Sequence, residues 1–500
     1  MPAKQDGLLG HDGIEDVKLS PSAWKPVRTA RWSLDIVRPE FLSLRPNPKS
    51  KPIRPTAWLD GLRGFAAFLV YLHHNQLWAH GERGNQVFEN SYGYQGKHYF
   101  AALPFVRLFF SGGHFAVAVF FVISGYVLSL KSLRMIQDSH AVSAADTIGS
   151  ALFRRWLRLY LPIIVVTFAW MSLRHWSGLW VDMIPMKETY REDVVNWYRM
   201  FKNYSFVFAN NIQEFSEPYH PHSWSIPIEF KGSIIIYTAL SALSRCKRNA
   251  RLLCEVTLAF YFLYVVDGFY GAMFMSGMLL CDLDLLAQQD QLPSIFSTLA
   301  SFKELIFFHL FILSLYLGGA PSFDSPDFDG TVLLSKSPGW VWLSYLKPQA
   351  VFDAKWFYLF WAAFLVVAAI PRLPWLKSFF ETRICQYLAR ISFALYLVHG
   401  IVIWTLGDRL YATVGLSRPA HKEGIPGWKN KFPLPANGPL GLELAFWLLQ
   451  PIILSATLYL AEVVTKLVDE PSVTFSNWLY RKTLLQQPAM PRHQRSSSSR

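Results

Sequence analysis

Residues 58–74 read WLDGLRGFAAFLVYLHH. Their apolar run predicts a membrane-spanning helix that carries Arg63 near one end and His74 near the other. His74 lies eleven positions after Arg63, which at about 100° per residue is roughly three turns, so both side chains share a face about 16 Å apart along the axis. We expect Arg63 at the cytoplasmic edge of the bilayer and His74 near its midplane. Ionisable groups inside a membrane are costly without a partner or a watery cavity, so this helix predicts a polar interior pathway.

A purely structural interpretation of His74 stays open at this point. An imidazole in a tight helical bundle can bond a backbone carbonyl and take no part in chemistry. His73 is the next residue along the helix, so the sequence leaves undecided which of the two would act as a base.

The composition excludes a soluble protein. Hydrophobic residues make up 52% of the 500 residues and charged residues only 17%, which is too little charge to cover a soluble surface. The fold predicted is therefore all-α, a polytopic bundle of transmembrane helices.

A span needs about 20 mostly apolar residues, and we predict ten spans, near residues 58–79, 114–130, 156–174, 224–244, 252–266, 269–286, 304–319, 355–370, 391–406 and 441–468. The fifth and sixth are expected to form a tight hairpin joined at Asp267 and Gly268.

Charge predicts how the chain lies in the membrane. The formal net charge is +13, and the basic residues cluster beside hydrophobic runs, which favours lipid headgroups over nucleic acid as the partner. Placing the basic cluster at 245–251 inside predicts that both termini are cytoplasmic, in an endomembrane or the plasma membrane. A membrane domain at 56–480 is expected between disordered tails at 1–55 and 481–500. The four cysteines lack metal-binding spacing, so we expect no metal and no tightly bound cofactor.

Arg155 and Arg158 are the candidate ligand-binding cations. They are three residues apart near the cytoplasmic end of the predicted third span, so they project from one side of a helix. A guanidinium pair matches phosphate geometry and suits a phosphate-bearing ligand. Alternatively, the two arginines only anchor the cytoplasmic end of the span, where basic residues are generally enriched.

Two further spans carry polar groups. Glu229 follows Trp224 and Ser225 in an otherwise apolar run, and a buried carboxylate needs a cationic partner, for which His74, Arg63 or Lys231 are candidates. The predicted ninth span contains His399, a second intramembrane imidazole. A structural ion pair and a hydrogen-bonded structural histidine are the competing interpretations.

Taken in order, these motifs resemble the acyltransferase-3 family of membrane acyltransferases. The resemblance covers residues 56–480 and rests on six elements. They are Arg-x10-His (Arg63 to His74), Phe-Phe-Val-Ile-Ser-Gly-Tyr (120–126), Arg-x-x-Arg (Arg155 and Arg158), Trp-Ser-x-x-x-Glu (Trp224, Ser225, Glu229), Ser-x-x-Leu-Tyr-Leu-x-His (Ser392 to His399) and Glu470-Pro471. Pro227 departs from the family pattern and leaves the orientation of Glu229 uncertain.

The resemblance implies a reaction. Members of the family are bundles of about ten helices that take an acyl group, usually acetyl, from cytoplasmic acyl-CoA and transfer it to a hydroxyl of a carbohydrate or small molecule. It also implies that His74 is the essential histidine and that Arg155 and Arg158 bind the donor. Our hypothesis is O-acetylation with acetyl-CoA as co-substrate, His74 or His73 as general base, Arg63 fixing geometry and Glu229 orienting a partner. Direct transfer and a two-step route through an acyl-histidine both fit the sequence. The alternative is a membrane transporter or proton relay without acyl transfer.

Overall fold

The computed structural model describes residues 54–81, 90–182, 186–208, 219–322 and 334–484. Within these ranges the chain is all-α, without a β-strand. Almost all of the two predicted tails, 1–55 and 481–500, lies outside the described residues. In the described residues, twelve helices of 13 residues or more form the frame: α1 Ala57–Ala79, α2 Gly113–Gln137, α3 Ala141–Ser177, α4 Tyr190–Tyr204, α5 Ser225–Leu243, α6 Arg248–Phe260, α7 Phe269–Gln288, α8 Lys303–Leu317, α9 Ala354–Ala369, α10 Arg383–Val402, α11 Gln450–Val464 and α12 Glu470–Thr483.

Eight helices of the described chain are long and apolar enough to cross a membrane, against the ten that we predicted. The first predicted span, α1, has the necessary length of 23 residues, but its charged and amide side chains reduce its apolar character. The fifth, α6, is only 13 residues long, although it does form the predicted hairpin with α7. The other eight predicted spans are all present, so the protein is a multi-pass membrane bundle.

Several of these helices run further than their apolar cores predict. α10 continues through a π-helical turn, Ile403–Gly407, into a short helix, Asp408–Val414. α11 likewise continues through the π-helical turn Thr465–Asp469 into α12. Turns of this kind often occur at functional sites, because they redirect side chains without ending the helix.

Helix α1 lies at the centre of the bundle. It packs against α2 on one side and α10 on another, and α2 packs in turn against α7. The contact between α1 and α10 is close, because a Cβ on Gly64 would lie 2.3 Å from the backbone nitrogen of Ala389. Small residues permit such close approach between transmembrane helices. In contrast, α8 packs mainly on α9 and leaves much of its apolar surface exposed, as expected for a lipid-facing helix.

The contact between α2 and α7 also depends on glycine, and replacing Gly125 with alanine is expected to destabilise the protein. The new Cβ would lie 2.0 Å from the Phe274 carbonyl oxygen, so the two helices would have to separate. Overpacking of this kind costs roughly 1–3 kcal/mol. Thermal unfolding of the detergent-purified protein measures the effect. Gly149→Ala on α3 is the matched control, because its Cβ meets nothing within 4 Å, and an equal melting temperature for the two variants would contradict the packing role.

Candidate active site

Three imidazoles from different parts of the chain meet inside the bundle. His74 lies on α1, His222 in the turn that precedes α5, and His399 on α10. The His74 Nδ1 and His399 Nε2 atoms are 3.1 Å apart. The rings of His74 and His222 stack with their centroids 3.7 Å apart. We call these three residues the histidine layer.

Backbone contacts define which nitrogens of His74 and His399 carry hydrogen. His74 Nδ1 lies 3.0 Å from the Val70 carbonyl oxygen, and His399 Nδ1 lies 3.2 Å from the Leu395 carbonyl oxygen. Carbonyl oxygens only accept, so each Nδ1 is assigned as the donor in the neutral ring. His399 Nε2 can then accept a hydrogen bond from His74 Nδ1. The remaining nitrogen, His74 Nε2, bears a lone pair and has the chemistry of a general base.

Exposure distinguishes His74 from its neighbour His73. His74 and His222 are partly exposed, whereas His399 is buried. The His73 side chain is also buried, and its ring lies against the first residue of α2, where a Cβ on Gly113 would be 2.5 Å from it. His74 is therefore the more accessible of the two candidate bases.

The Trp-Ser-x-x-x-Glu motif positions His222. The Tyr396 hydroxyl donates a hydrogen bond to the His222 carbonyl oxygen and lies 2.8 Å from Ser225 Oγ. Trp224 packs edge-on against Trp356, with the ring centroids 5.8 Å apart. Ser225 and Trp224 thus hold the turn in place, a role that the sequence did not specify.

A second polar layer crosses the same helices. Arg155 on α3 donates hydrogen bonds to the Glu229 carboxylate and to Ser233 Oγ, the latter at 2.8 Å. Glu229 also hydrogen-bonds Ser124 of α2. Pro227 does not disturb this arrangement, since it falls in the first turn of α5, where a helix needs no backbone donor. We call Arg63, Arg155, Arg158, Glu229, Ser392 and Asp469 the arginine layer.

Arg63 and Asp469 complete the arginine layer. Arg63 donates to Ser392 Oγ at 3.0 Å and to the Ala389 carbonyl at 2.9 Å, which joins α1 to α10. Asp469, in the π-helical turn after α11, interacts electrostatically with both Arg158 and Arg63. Arg63 and His74 both contact α10, so they share a face, as their spacing predicts.

The histidine layer and the arginine layer lie at different heights along the helix axes. His74 follows Arg63 by eleven residues on α1, and seven residues separate each of the pairs His222–Glu229 and His399–Ser392. At about 1.5 Å per residue, the layers lie roughly 10–16 Å apart. His74 is also only five residues from the end of α1, so it lies nearer that end than the middle of the helix. A long, narrow ligand would be needed to span both layers.

The structure corrects one prediction about these residues. None of the three suggested partners, His74, Arg63 and Lys231, pairs with Glu229, because Arg155 takes that place. Sequence reasoning also missed two members of the layers, His222 and Asp469. Both lie beside motif residues, His222 in the turn before α5 and Asp469 in the π-helical turn between α11 and α12, and no spacing within one helix marks either of them.

The histidine layer also offers the one candidate metal-binding group of this kind in the described part of the chain, with ligand atoms within 4.8 Å of one another. However, the His222 and His399 rings are nearly parallel, at 11°. Stacked rings direct their lone pairs along similar directions, whereas a tetrahedral metal needs them to converge. A metal ion would require at least one of these rings to turn.

Imidazoles and arginines enclosed by membrane helices fit both acyl transfer and the transporter alternative. A comparison with protein families defines the class more closely, because the family model described as "Acyltransferase domain" (acyltransferase-3) matches residues 56–465. The chain belongs to the acyltransferase-3 family, and it is a multi-pass membrane acyltransferase.

Three curated relatives are similar over most of their length. The chain is 30% identical to O-acetyltransferase PaAT-1 of Phomopsis amygdali, over 92% of this chain and 91% of the relative. It is 24% identical to acyltransferase clz18 of Cochliobolus lunatus, over 89% and 99%, and 22% identical to acyltransferase R4 of a Phoma species, over 77% and 84%. No solved structure matches the chain. The relatives support acyl transfer over the transporter alternative.

Proposed function

We propose that this protein is an O-acyltransferase that moves an acyl group, with acetyl as the favoured group, from acyl-CoA to a hydroxyl of a carbohydrate or small-molecule acceptor. The observation that carries the proposal is the assignment of His74, whose Nδ1 is engaged by Val70 and His399 while Nε2 is left as a base. The name of the relative PaAT-1, an O-acetyltransferase, supports acetyl as the group and oxygen as the acceptor atom.

The proposed step balances as follows. His74 Nε2 takes the proton of the acceptor hydroxyl as the oxygen attacks the thioester carbonyl carbon. The carbon–sulfur bond then breaks, and the CoA sulfur leaves and receives the proton from His74. The ester and free CoA are the products, and the imidazole returns to its neutral form. His399 acts as a positioning residue, since its Nε2 accepts from the Nδ1–H of the His74 imidazolium.

The arginine layer supports the donor side of the proposal. CoA phosphates would bind near Arg155 and Arg158, and the pantetheine arm would extend toward the histidine layer. The separation of roughly 10–16 Å suits such an extended arm. Arg155 is already paired with Glu229, so phosphate binding requires the guanidinium to share its donors or exchange partners. Placing the basic cluster at 245–251 on the cytoplasmic side favours cytoplasmic termini and a cytoplasmic donor.

A labelling experiment tests this function. The purified protein in lipid nanodiscs is incubated with acetyl-CoA carrying a labelled acetyl group and a metabolite extract from a strain that lacks the gene. We expect the label to enter a product that mild alkali cleaves, as it cleaves an ester. One equivalent of free CoA should be released for each equivalent of labelled product. Longer acyl-CoA donors test the preference for acetyl. Absence of acceptor-dependent thioester cleavage with every donor would contradict the proposal.

A further inference from the structure

We propose that His73 and His114 form a hydroxyl-binding subsite beside His74, and that the acceptor is therefore a polyol that binds through a second hydroxyl. This inference rests on the proposed function, because it assigns a recognition site for the acceptor of that reaction. It gives His73 a binding role in place of the catalytic role that the sequence left open.

The observation that carries the inference is a pair of buried nitrogens. The Nδ1 atoms of His73 and His114 are both buried, and neither has a hydrogen-bond partner among the described residues. The two ring centroids are 5.3 Å apart, in an edge-to-face arrangement. Buried polar groups are nearly always hydrogen-bonded, so two such atoms on adjacent rings point to a ligand that supplies the partners.

The surroundings hold both rings in fixed positions. The Ser111 carbonyl accepts a hydrogen bond from the His73 ring, which engages Nε2 because Nδ1 has no partner. The absence of a side chain on Gly113 makes room for the same ring. His114 packs edge-on against Trp356, with centroids 5.9 Å apart. The two imidazoles are therefore preorganised, which lowers the entropic cost of binding.

A buried cation adds to the polarity of this region. The Lys355 side chain is only 4% exposed, and its Nζ lies 3.0 Å from an Asp353 carboxylate oxygen. Lys355 interacts electrostatically with both His73 and His114. A region with an ammonium group and two imidazoles can bind oxygen atoms as well as hydroxyl protons, which suits an oxygen-rich acceptor.

The spacing indicates neighbouring hydroxyls. The His73 and His74 ring centroids are 5.1 Å apart. A hydrogen bond places oxygen about 2.8 Å from nitrogen, so two hydroxyls on adjacent carbons can reach His74 Nε2 and the subsite together. The hydroxyl at His74 would react while its neighbour orients the molecule. An acceptor with a single hydroxyl would lack this second contact.

The test compares two simple alcohols as acceptors, trans-cyclohexane-1,2-diol and cyclohexanol, with labelled acetyl-CoA. In the wild-type protein kcat/KM should be higher for the diol by a factor of about ten, the worth of one well-placed hydrogen bond. His73→Gln and His114→Gln keep a polar atom near the Nε2 position but lose the one at Nδ1. Both should lose most of this preference. The preference is a ratio, so a general loss of active protein does not change it.

Two variants separate recognition from structure. His114→Asn places an amide near the lost Nδ1 and should keep most of the diol preference, which a merely structural role would not predict. His309→Gln, on the exposed face of α8, should behave as the wild type does. An unchanged preference in both glutamine variants, or no preference in the wild type, would overturn the subsite. If the protein acetylates an acceptor in the extract but neither of the two alcohols, the subsite is also overturned. If it acetylates nothing in the extract either, the result counts against the proposed function.

Discussion

Replacing His74 with glutamine should lower kcat for acyl transfer by about 10²–10⁴-fold, the usual contribution of a general base. Glutamine retains a polar group but cannot take the acceptor proton near neutral pH. The donor KM should change little, because Arg155 and Arg158 remain in place. Steady-state release of free CoA in the presence of the acceptor measures both constants.

Variants at His399 provide the matched comparison for His74. His399→Gln keeps an acceptor near the Nε2 position, which faces His74 Nδ1 at 3.1 Å, whereas His399→Phe removes it. The phenylalanine variant should therefore lose more activity than the glutamine variant, with both less affected than His74→Gln. Monodisperse elution from a size-exclusion column would show that each variant is folded. Normal turnover by folded His74→Gln protein would contradict its assignment as the base.

Replacing Arg155 with methionine should raise the donor KM by an order of magnitude or more and also destabilise the protein. The variant leaves the half-buried Glu229 carboxylate without its guanidinium, and breaking such a pair costs about 3–5 kcal/mol. The double variant Arg155→Met with Glu229→Gln removes the unpaired charge. It should recover much of the thermal stability but not the affinity for the donor. Calorimetric titration with CoA and thermal unfolding measure the two effects separately.

Arg199 offers a control for this pair. It is exposed on α4 and contacts only the neighbouring Asn196 among the hydrogen bonds resolved, at 2.8 Å. Arg199→Met should leave both CoA affinity and stability unchanged. If the double variant binds CoA as tightly as the wild type does, Arg155 has a structural role alone, and the donor site lies elsewhere.

The predictions from sequence were most accurate where a single helix determines the outcome. Apolar length was enough to place eight of the spans and the hairpin of α6 and α7, because the bilayer imposes that length. Helix α1 does not meet the criterion of apolar length, since the polar residues that give this helix its chemistry also reduce its apolar character. Helix ends were less accurate, and α10 begins at Arg383 rather than near residue 391. Its first turns carry polar residues that the hydrophobic pattern excludes.

Contacts between helices could not be predicted in the same way. The partner of Glu229 depends on how α3 and α5 pack, and no spacing within either helix contains that information. His222 enters the site because the turn before α5 reaches α1, which brings together residues 148 positions apart. His114 was also missed, as a histidine at the first turn of a span is usually an interfacial residue. The family motifs marked most of the site residues but not how they pair.

In the proposed reaction a CoA thioester reaches His74 from the arginine layer. A cryo-EM structure of the protein with S-(2-oxopropyl)-CoA, a thioether analogue of acetyl-CoA that keeps a carbonyl group and cannot be cleaved, tests this route. We expect the phosphates beside Arg155 and Arg158, the arm extended between the two layers, and the carbonyl carbon near His74, with room for an acceptor oxygen about 3–3.5 Å from that carbon. An analogue bound with its carbonyl outside the histidine layer would contradict the account.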